Sequence, residues 1–427
     1  MRFDEGASQE LVAVNLNAAE VGQVAALGFT VGPVTVAGTG AAVQRFRVPR
    51  GTSRDDARRL LTRQMPLTKF APNHVYHIFQ GSFGKEGDLG AGGAAGGGPA
   101  GYGGALIKWN SGLASCTKNV KVGIIDTSFD TTHPAFRHMK ARNGEFLDGE
   151  KPSPYDWHGT AVLSLLAGDP KSSTPGLIPD ATFFLATAFR SDESGNASTD
   201  SVRLLAALKW LEELDVDFVN MSFSGPRDAL FEAAIQRMRK KGVVFIAAAG
   251  NLGPTAPPSY PAAYPEVIAV TAVDSNGVNY MHANRGSYID VSAPGVDVLA
   301  ALPEGKQGVR TGTSFATPFV TALVATRSGE RNLSRRKADL LREFRMKDLG
   351  PPGPDPIFGQ GLALAPADCN SGGVVASAPW GPAIVTPAPA AMMTSTRTSA
   401  GASAATTATD RASAFSPAVS VGFGFAP

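Results

Sequence analysis

Apolar positions follow two different rhythms along this chain. Up to about residue 80, short apolar stretches at 11–14, 29–36, 42–48 and 70–79 alternate with helically spaced segments at 18–27 and 53–62. That spacing predicts strand, helix, strand, strand, helix, strand, a small α+β domain over residues 1–80. Ser53 is placed to cap the second helix, with Asp55 and Asp56 in its first turn where the helix dipole favours acid. Beyond residue 105 the apolar runs become nearly continuous, at 120–125, 183–189, 218–223, 243–248 and 267–273. Strands apolar on both faces are buried on both, as in a parallel sheet. Segments 201–214 and 228–241 have helical spacing, and the second ends in basic residues followed by Gly242, a helix stop. The pattern predicts an α/β domain over residues 105–365, a parallel sheet with crossover helices, with its chemistry at the carboxyl ends of the strands.

Composition locates what lies outside these two domains. Of 427 residues, 48 are Gly and 31 Pro, and the run Gly90 to Gly98 has almost no side chains to bury, so residues 81–104 read as a flexible linker. Residues 366–427 are dominated by Ala, Ser, Thr and Pro and read as a disordered tail. With 39 Lys and Arg against 37 Asp and Glu and no dense basic run, a nucleic-acid partner has little support. No stretch approaches about 18 uninterrupted apolar residues, which excludes a membrane span. Asp4 and Glu5 stand where a signal peptide needs its apolar run, so the chain as given shows no export signal.

Four groups carry candidate chemistry. Asp126 follows the strand at 120–125, where a side chain can point into a crevice. His158 opens a helical stretch, and Ser314 lies in Gly312-Thr313-Ser314-Phe315-Ala316-Thr317-Pro318, again at the mouth of a helix. Backbone N–H groups of a first helical turn can stabilise a developing oxyanion. Asn251 ends a buried strand with an amide donor suited to the same task. Singly, an Asp after a strand is a cap or turn residue and a Ser at a helix start an N-cap; together the four make a charge orienter, base, oxyanion donor and nucleophile.

In that order, Asp, His, Asn, Ser, the chain resembles the subtilisin-like serine proteases. The likeness runs from about residue 105 to 345 and includes Val122-Gly123-Ile124-Ile125-Asp126-Thr127, His158-Gly159-Thr160, Asn220-Met221-Ser222-Phe223, Tyr260-Pro261-Ala262-Ala263-Tyr264-Pro265 and Gly312 to Pro318. It implies a three-layer α/β fold and a serine endopeptidase acting on polypeptides through an acyl-enzyme. Its triad would be Asp126, His158 and Ser314, with Asn251 and the Ser314 N–H as oxyanion hole. It also implies a substrate groove lined by Ser222, Phe223, Ser224, Gly225, Ala248, Ala249 and Gly250. Three departures stand out: Ser128 where the family usually has Gly, Phe319 where it commonly has His, and Ser224-Gly225-Pro226 for Gly-Gly-Pro, which implies a narrower or more polar first specificity pocket. Two competing readings keep the fold and change the outcome: a catalytically silent peptide-binding protein, or a peptide ligase or cyclase using the same acyl-enzyme.

The resemblance further implies that residues 1–80 are a propeptide, an intramolecular inhibitor whose end, Pro72 to His77, would lie extended near the groove before self-cleavage; the competing reading is a permanent accessory domain. It implies a secreted or periplasmic location. Calcium sites occur in the family, but no Asp/Asn loop here matches one, and no cofactor or metal is expected. His74 and His77, three apart in a strand, face opposite sides and are assigned no metal. Cys116 and Cys369 leave two readings open, a bridge tying the ends of the catalytic domain or two buried thiols.

Overall fold

The computed structural model describes residues 9–36, 40–78, 100–194, 196–327 and 337–369. Most of the expected linker (79–99) and tail (370–427) lies outside the described residues.

The N-terminal unit is a four-stranded antiparallel sheet in the order Thr30–Val36, Ala42–Arg47, Glu10–Val14, Phe70–Pro72. Its helices are Ala18–Ala26 and Arg54–Gln64, so the strand and helix order is the one the apolar spacing predicts. Ser53 caps the second helix by accepting from the Asp56 N–H. Strand periodicity then divides each strand between two cores. Leu11, Ala13 and Phe46 pack with Val24, Ala57 and Leu61 of the two helices, whereas Val12 and Val43, on the other face, join the core of the large unit.

Segment 70–79 reads as one stretch in the sequence and is two strands in the structure. Phe70–Pro72 stays in the N-terminal sheet against Leu11 to Ala13. Val75–Ile78 crosses to the large unit and pairs antiparallel with Ala197–Asp200, Asp200 opposite Val75. Proline 72 has no N–H with which to continue a ladder, and the chain changes partners just after it.

The large unit is built on nine strands, parallel but for one edge, in the order Arg345–Lys347, Leu362–Leu364, Val291–Pro294, Val267–Val273, Val244–Ala248, Phe218–Met221, Lys121–Asp126, Thr182–Thr187, Lys140–Glu145. Helices His158–Ala167 and Thr313–Ala325 cover one face with a core that includes Ile124, Ile246 and Val270. Helices Ser201–Glu213 and Ala229–Lys240 cover the other over Ile125, Phe245 and Ala247. The architecture is therefore three layers, α/β/α, and the central strands are buried throughout because both faces are covered.

Two boundaries differ from expectation. Helix Tyr102–Leu106 begins inside the segment read as linker. Gly103 packs so closely on Phe319 that an added Cβ would lie 2.4 Å from the ring, so here glycine serves close approach rather than flexibility. At the other end, Cys369 lies inside the expected tail but is bonded to Cys116 across 253 residues of sequence. Among the described residues no helix is long and apolar enough to cross a membrane.

Candidate active site

Asp126 is the last residue of its strand and fully buried. Its Oδ1 accepts from the Thr127 N–H at 2.7 Å and from His158 Nδ1 at 2.8 Å. His158 is the first residue of its helix, and Gly159 after it must be small, because a Cβ would lie 2.7 Å from the Thr127 carbonyl. The Gly159 N–H donates to Thr127 Oγ1 at 2.9 Å, tying the aspartate loop to the histidine helix. His158 Nε2 is buried and has no hydrogen-bond partner among the described residues. The imidazole packs beside both Trp157 and Phe315, at ring centroid distances of 5.6 and 5.3 Å.

Ser314 lies in the first turn of helix Thr313–Ala325, which Gly312 opens at φ +153°. Its Oγ donates to the Ser222 carbonyl at 2.9 Å, while Ser222 Oγ donates to the Ser314 carbonyl at 2.9 Å. Pro318 explains this exchange. Four residues after Ser314, it has no N–H to give to that carbonyl, and Ser222 supplies the missing donor. Ser222 is itself held by Asn220 Nδ2 at 3.0 Å, and Asn220 Oδ1 accepts from Thr321 of the same helix at 3.0 Å. Asn251 Oδ1 accepts from the Thr313 N–H and Oγ1 at 3.0 and 2.9 Å, which fixes the amide by its oxygen.

The fold thus brings Asp126 and His158 into contact and sets Asn251 and Ser222 against the turn bearing Ser314. Hydrogen bonding does not join Ser314 to His158 in this arrangement. Ser224 exchanges backbone bonds with His77 at 2.8 and 2.9 Å, and Gly225 exchanges them with Tyr260. Phe223 lies edge-on to Tyr76. Ala248 ends its strand, the Ala249 carbonyl accepts from the Tyr288 hydroxyl at 2.8 Å, and Gly250 at φ +108° donates to Thr313 Oγ1 at 3.2 Å.

A family model described as "Subtilase family" matches residues 117–361. The chain belongs to the subtilase family. Over 241 residues it is 34% identical to the major intracellular serine protease of Bacillus subtilis, a match covering 54% of this chain and 74% of that protein. It is also 34% identical over 215 residues to subtilisin E of the same organism, covering 48% of this chain and 55% of the relative. The chain therefore spans about half the length of subtilisin E. Among solved structures, a psychrophilic subtilisin-like protease of an Antarctic Pseudoalteromonas shares the fold at TM-score 0.55 and 17% identity, covering 62% of this chain and 95% of that one. The prenylagaramide maturation protease matches at TM-score 0.51 and 26% identity, covering 60% and 95%. As a subtilase the protein is a serine-type endopeptidase.

The departures of this subtilase are accommodated locally. Ser128 gives its N–H to Asp156 Oδ2 at 3.5 Å, and Asp156 also accepts from the Ser153 and Ser191 N–H groups at 3.1 and 2.8 Å. Phe319 fills the space above Gly103. The sequence reading passed over Trp157 and Phe315, which stack on each other at 6.3 Å with Arg310 over the Trp157 ring at 4.6 Å. Their signal was position: one directly precedes His158 and the other directly follows Ser314.

Proposed function

We propose that this subtilase hydrolyses peptide bonds through Asp126, His158 and Ser314 and cuts its own chain after the N-terminal unit. The observation carrying this reading is the buried Asp126–His158 bond of 2.8 Å, with Nε2 left for another proton beside the turn that bears Ser314. In the mechanism, Ser314 Oγ turns from the Ser222 carbonyl to His158 Nε2, gives up its proton and bonds to the scissile carbonyl carbon. Asp126 keeps the Nδ1 proton in place and stabilises the imidazolium that forms. Asn251 Nδ2 and the Ser314 N–H donate to the oxyanion, where the first turn of the helix adds its positive dipole end. His158 then passes the proton to the leaving amine, and water repeats the sequence to release the acid. The buried polar chain Thr321, Asn220, Ser222 fixes the Ser314 carbonyl and holds the turn in place.

Self-processing is supported by the segment Val75–Ile78, which occupies the groove as an added strand, between Ala197–Asp200 and Ser224. Tyr76 anchors it: fully buried, its ring meets Phe223 and Phe231 at centroid distances of 6.0 and 5.6 Å. Gly225 leaves the seat open, since a Cβ there would lie 2.4 Å from the Tyr76 ring. In this reading the N-terminal unit inhibits the enzyme until the segment between residues 79 and 99 is cut. The Cys116–Cys369 bridge suits an oxidising compartment.

A fluorophosphonate probe should label wild type and leave Ser314→Ala unlabelled, and intact mass should show loss of an N-terminal fragment in wild type alone. A folded wild type that resists the probe overturns the triad and leaves a silent peptide-binding protein. The structural likeness to a maturation protease favours one second reading, transfer of the acyl group to an amine. Products lacking the added water would identify it.

A further inference from the structure

Besides Tyr76 and the apolar face of Val12 and Val43, the N-terminal unit presents a cation to the large unit. Arg45, in strand Ala42–Arg47, is 7% exposed, with Nη1 2.8 Å from Asp148 Oδ2 and Nη2 3.4 Å from Asp200 Oδ1. On the large unit, Arg203 holds Asp148 at 3.0 Å, Glu150 at 2.9 Å and Asp200 at 3.9 Å. Three carboxylates against Arg203 leave that surface two charges in excess. Half-exposed Arg190, 3.7 Å from Glu150, offsets one of them, and Arg45 offsets the other. Burial pushes the Asp200 carboxyl up, and the neighbouring Arg45 guanidinium pulls it back towards the ionised form.

The place of these acids gives them a further use. Asp200 lies opposite Val75 in the groove ladder, and Ser201 exchanges bonds with the His74 backbone at 2.9 and 3.0 Å. A polypeptide laid in the groove in the same register passes the residues at the Val75 and His74 positions beside Asp200. Departure of the N-terminal unit removes Arg45 and leaves the acids short of one cation.

We propose that Asp148, Glu150 and Asp200 form a guanidinium-reading site, filled by Arg45 in this chain. Once vacated, it favours polypeptide substrates with arginine two or three residues before the one that pairs with Ser224. Two nitrogens of one guanidinium on two carboxylates is a forked geometry that lysine cannot match. The proposal rests on the endopeptidase reading above.

The test compares peptides identical through the groove segment, with Arg, Lys or Ala at those two positions, cleaved by the processed enzyme. The expected kcat/KM for Arg exceeds that for Ala by about tenfold at low salt, with Lys between, and the gap narrows as salt screens it. In Asp148→Asn the ratio should fall towards one; Asp148 sits at φ +53°, which Asn tolerates. Equal cleavage of Arg and Ala peptides, or a preference that survives Asp148→Asn, overturns the site while leaving the endopeptidase intact. If no peptide is cut, the endopeptidase reading fails, and the site is read without turnover. In full-length Ser314→Ala, acetyl-arginine amide should speed hydrogen exchange of Ala42–Arg47 and Val75–Ile78, and acetyl-glutamine amide should not. An equal response to both, or an unchanged response in Asp148→Asn, overturns the proposal.

Discussion

The two sheets of this protein use the same ingredients and bury them differently. In the large sheet, strands such as Val267–Val273 are covered on both faces by helices of their own unit. In the N-terminal sheet, one face is covered by its own two helices, and Val12 and Val43 on the other depend on the large unit. Its outer strand Thr30–Val36 has no fully buried residue. The large sheet is a complete core, whereas the small one is completed by docking, and a domain of about 70 residues with half its sheet borrowed has little stability to spare. Dependence of this kind suits the proposed inhibitor role, in which the unit would fold against its partner and lose its support on leaving.

Substitutions in the two units put that contrast to the test. The largest effect belongs to the large unit: Ser314→Ala should lower peptide hydrolysis by about a millionfold, the figure known for subtilisin itself, with the melting temperature unchanged. Next, Tyr76→Ala in the uncut Ser314→Ala chain removes a fully buried ring at a cost of about 3–5 kcal/mol. Hydrogen exchange should rise across Val75–Ile78 and the N-terminal sheet and stay slow in Val244–Ala248. Equal loss in both sheets would mean that they form one cooperative core, and the contrast would fail.

Asn251→Ala should reduce kcat by roughly a hundred- to a thousandfold, again the scale established on subtilisin, with little change in KM. Cys369→Ser opens a tie across most of the large unit and should cost it about 2–4 kcal/mol in denaturant unfolding. The smallest effect is one of pH. Burial holds the His77 imidazole below its ordinary 6.5, so the docked strand prefers it neutral. That stability is whole above 6.5 and shrinks as pH falls below it, so Val75–Ile78, once exchange is corrected for its intrinsic pH dependence, should be less protected at about pH 5.5 than at about pH 7.5. Protection that stays level or rises on acidification would remove His77 from the docking contact.

Legibility followed burial. Residues 267–273 read as a strand and form one with those bounds, because a run apolar on both faces has one place to go. Strand Lys140–Glu145 left no such trace: it is an edge held by backbone pairing to Thr182–Thr187, and its side chains are largely exposed. The four candidate groups were legible through their motifs, and the Asp126–His158 bond follows from them. The reciprocal bonds of Ser222 and Ser314 were not read, although Pro318 announces an unpaired carbonyl four residues back. Nor did the acids around Arg45 announce themselves, since Asp148, Glu150, Asp200 and Arg203 are brought together by folding rather than by sequence.

The bridge between Cys116 and Cys369 has one more consequence. Both of its ends lie downstream of residues 79–99. A cut anywhere in that stretch therefore divides the chain into two molecules with no covalent bond between them. From that moment the lifetime of the pair is a dissociation rate, governed by Tyr76, Arg45 and the borrowed face of the small sheet, and under the proposed inhibition dilution alone would switch the enzyme on.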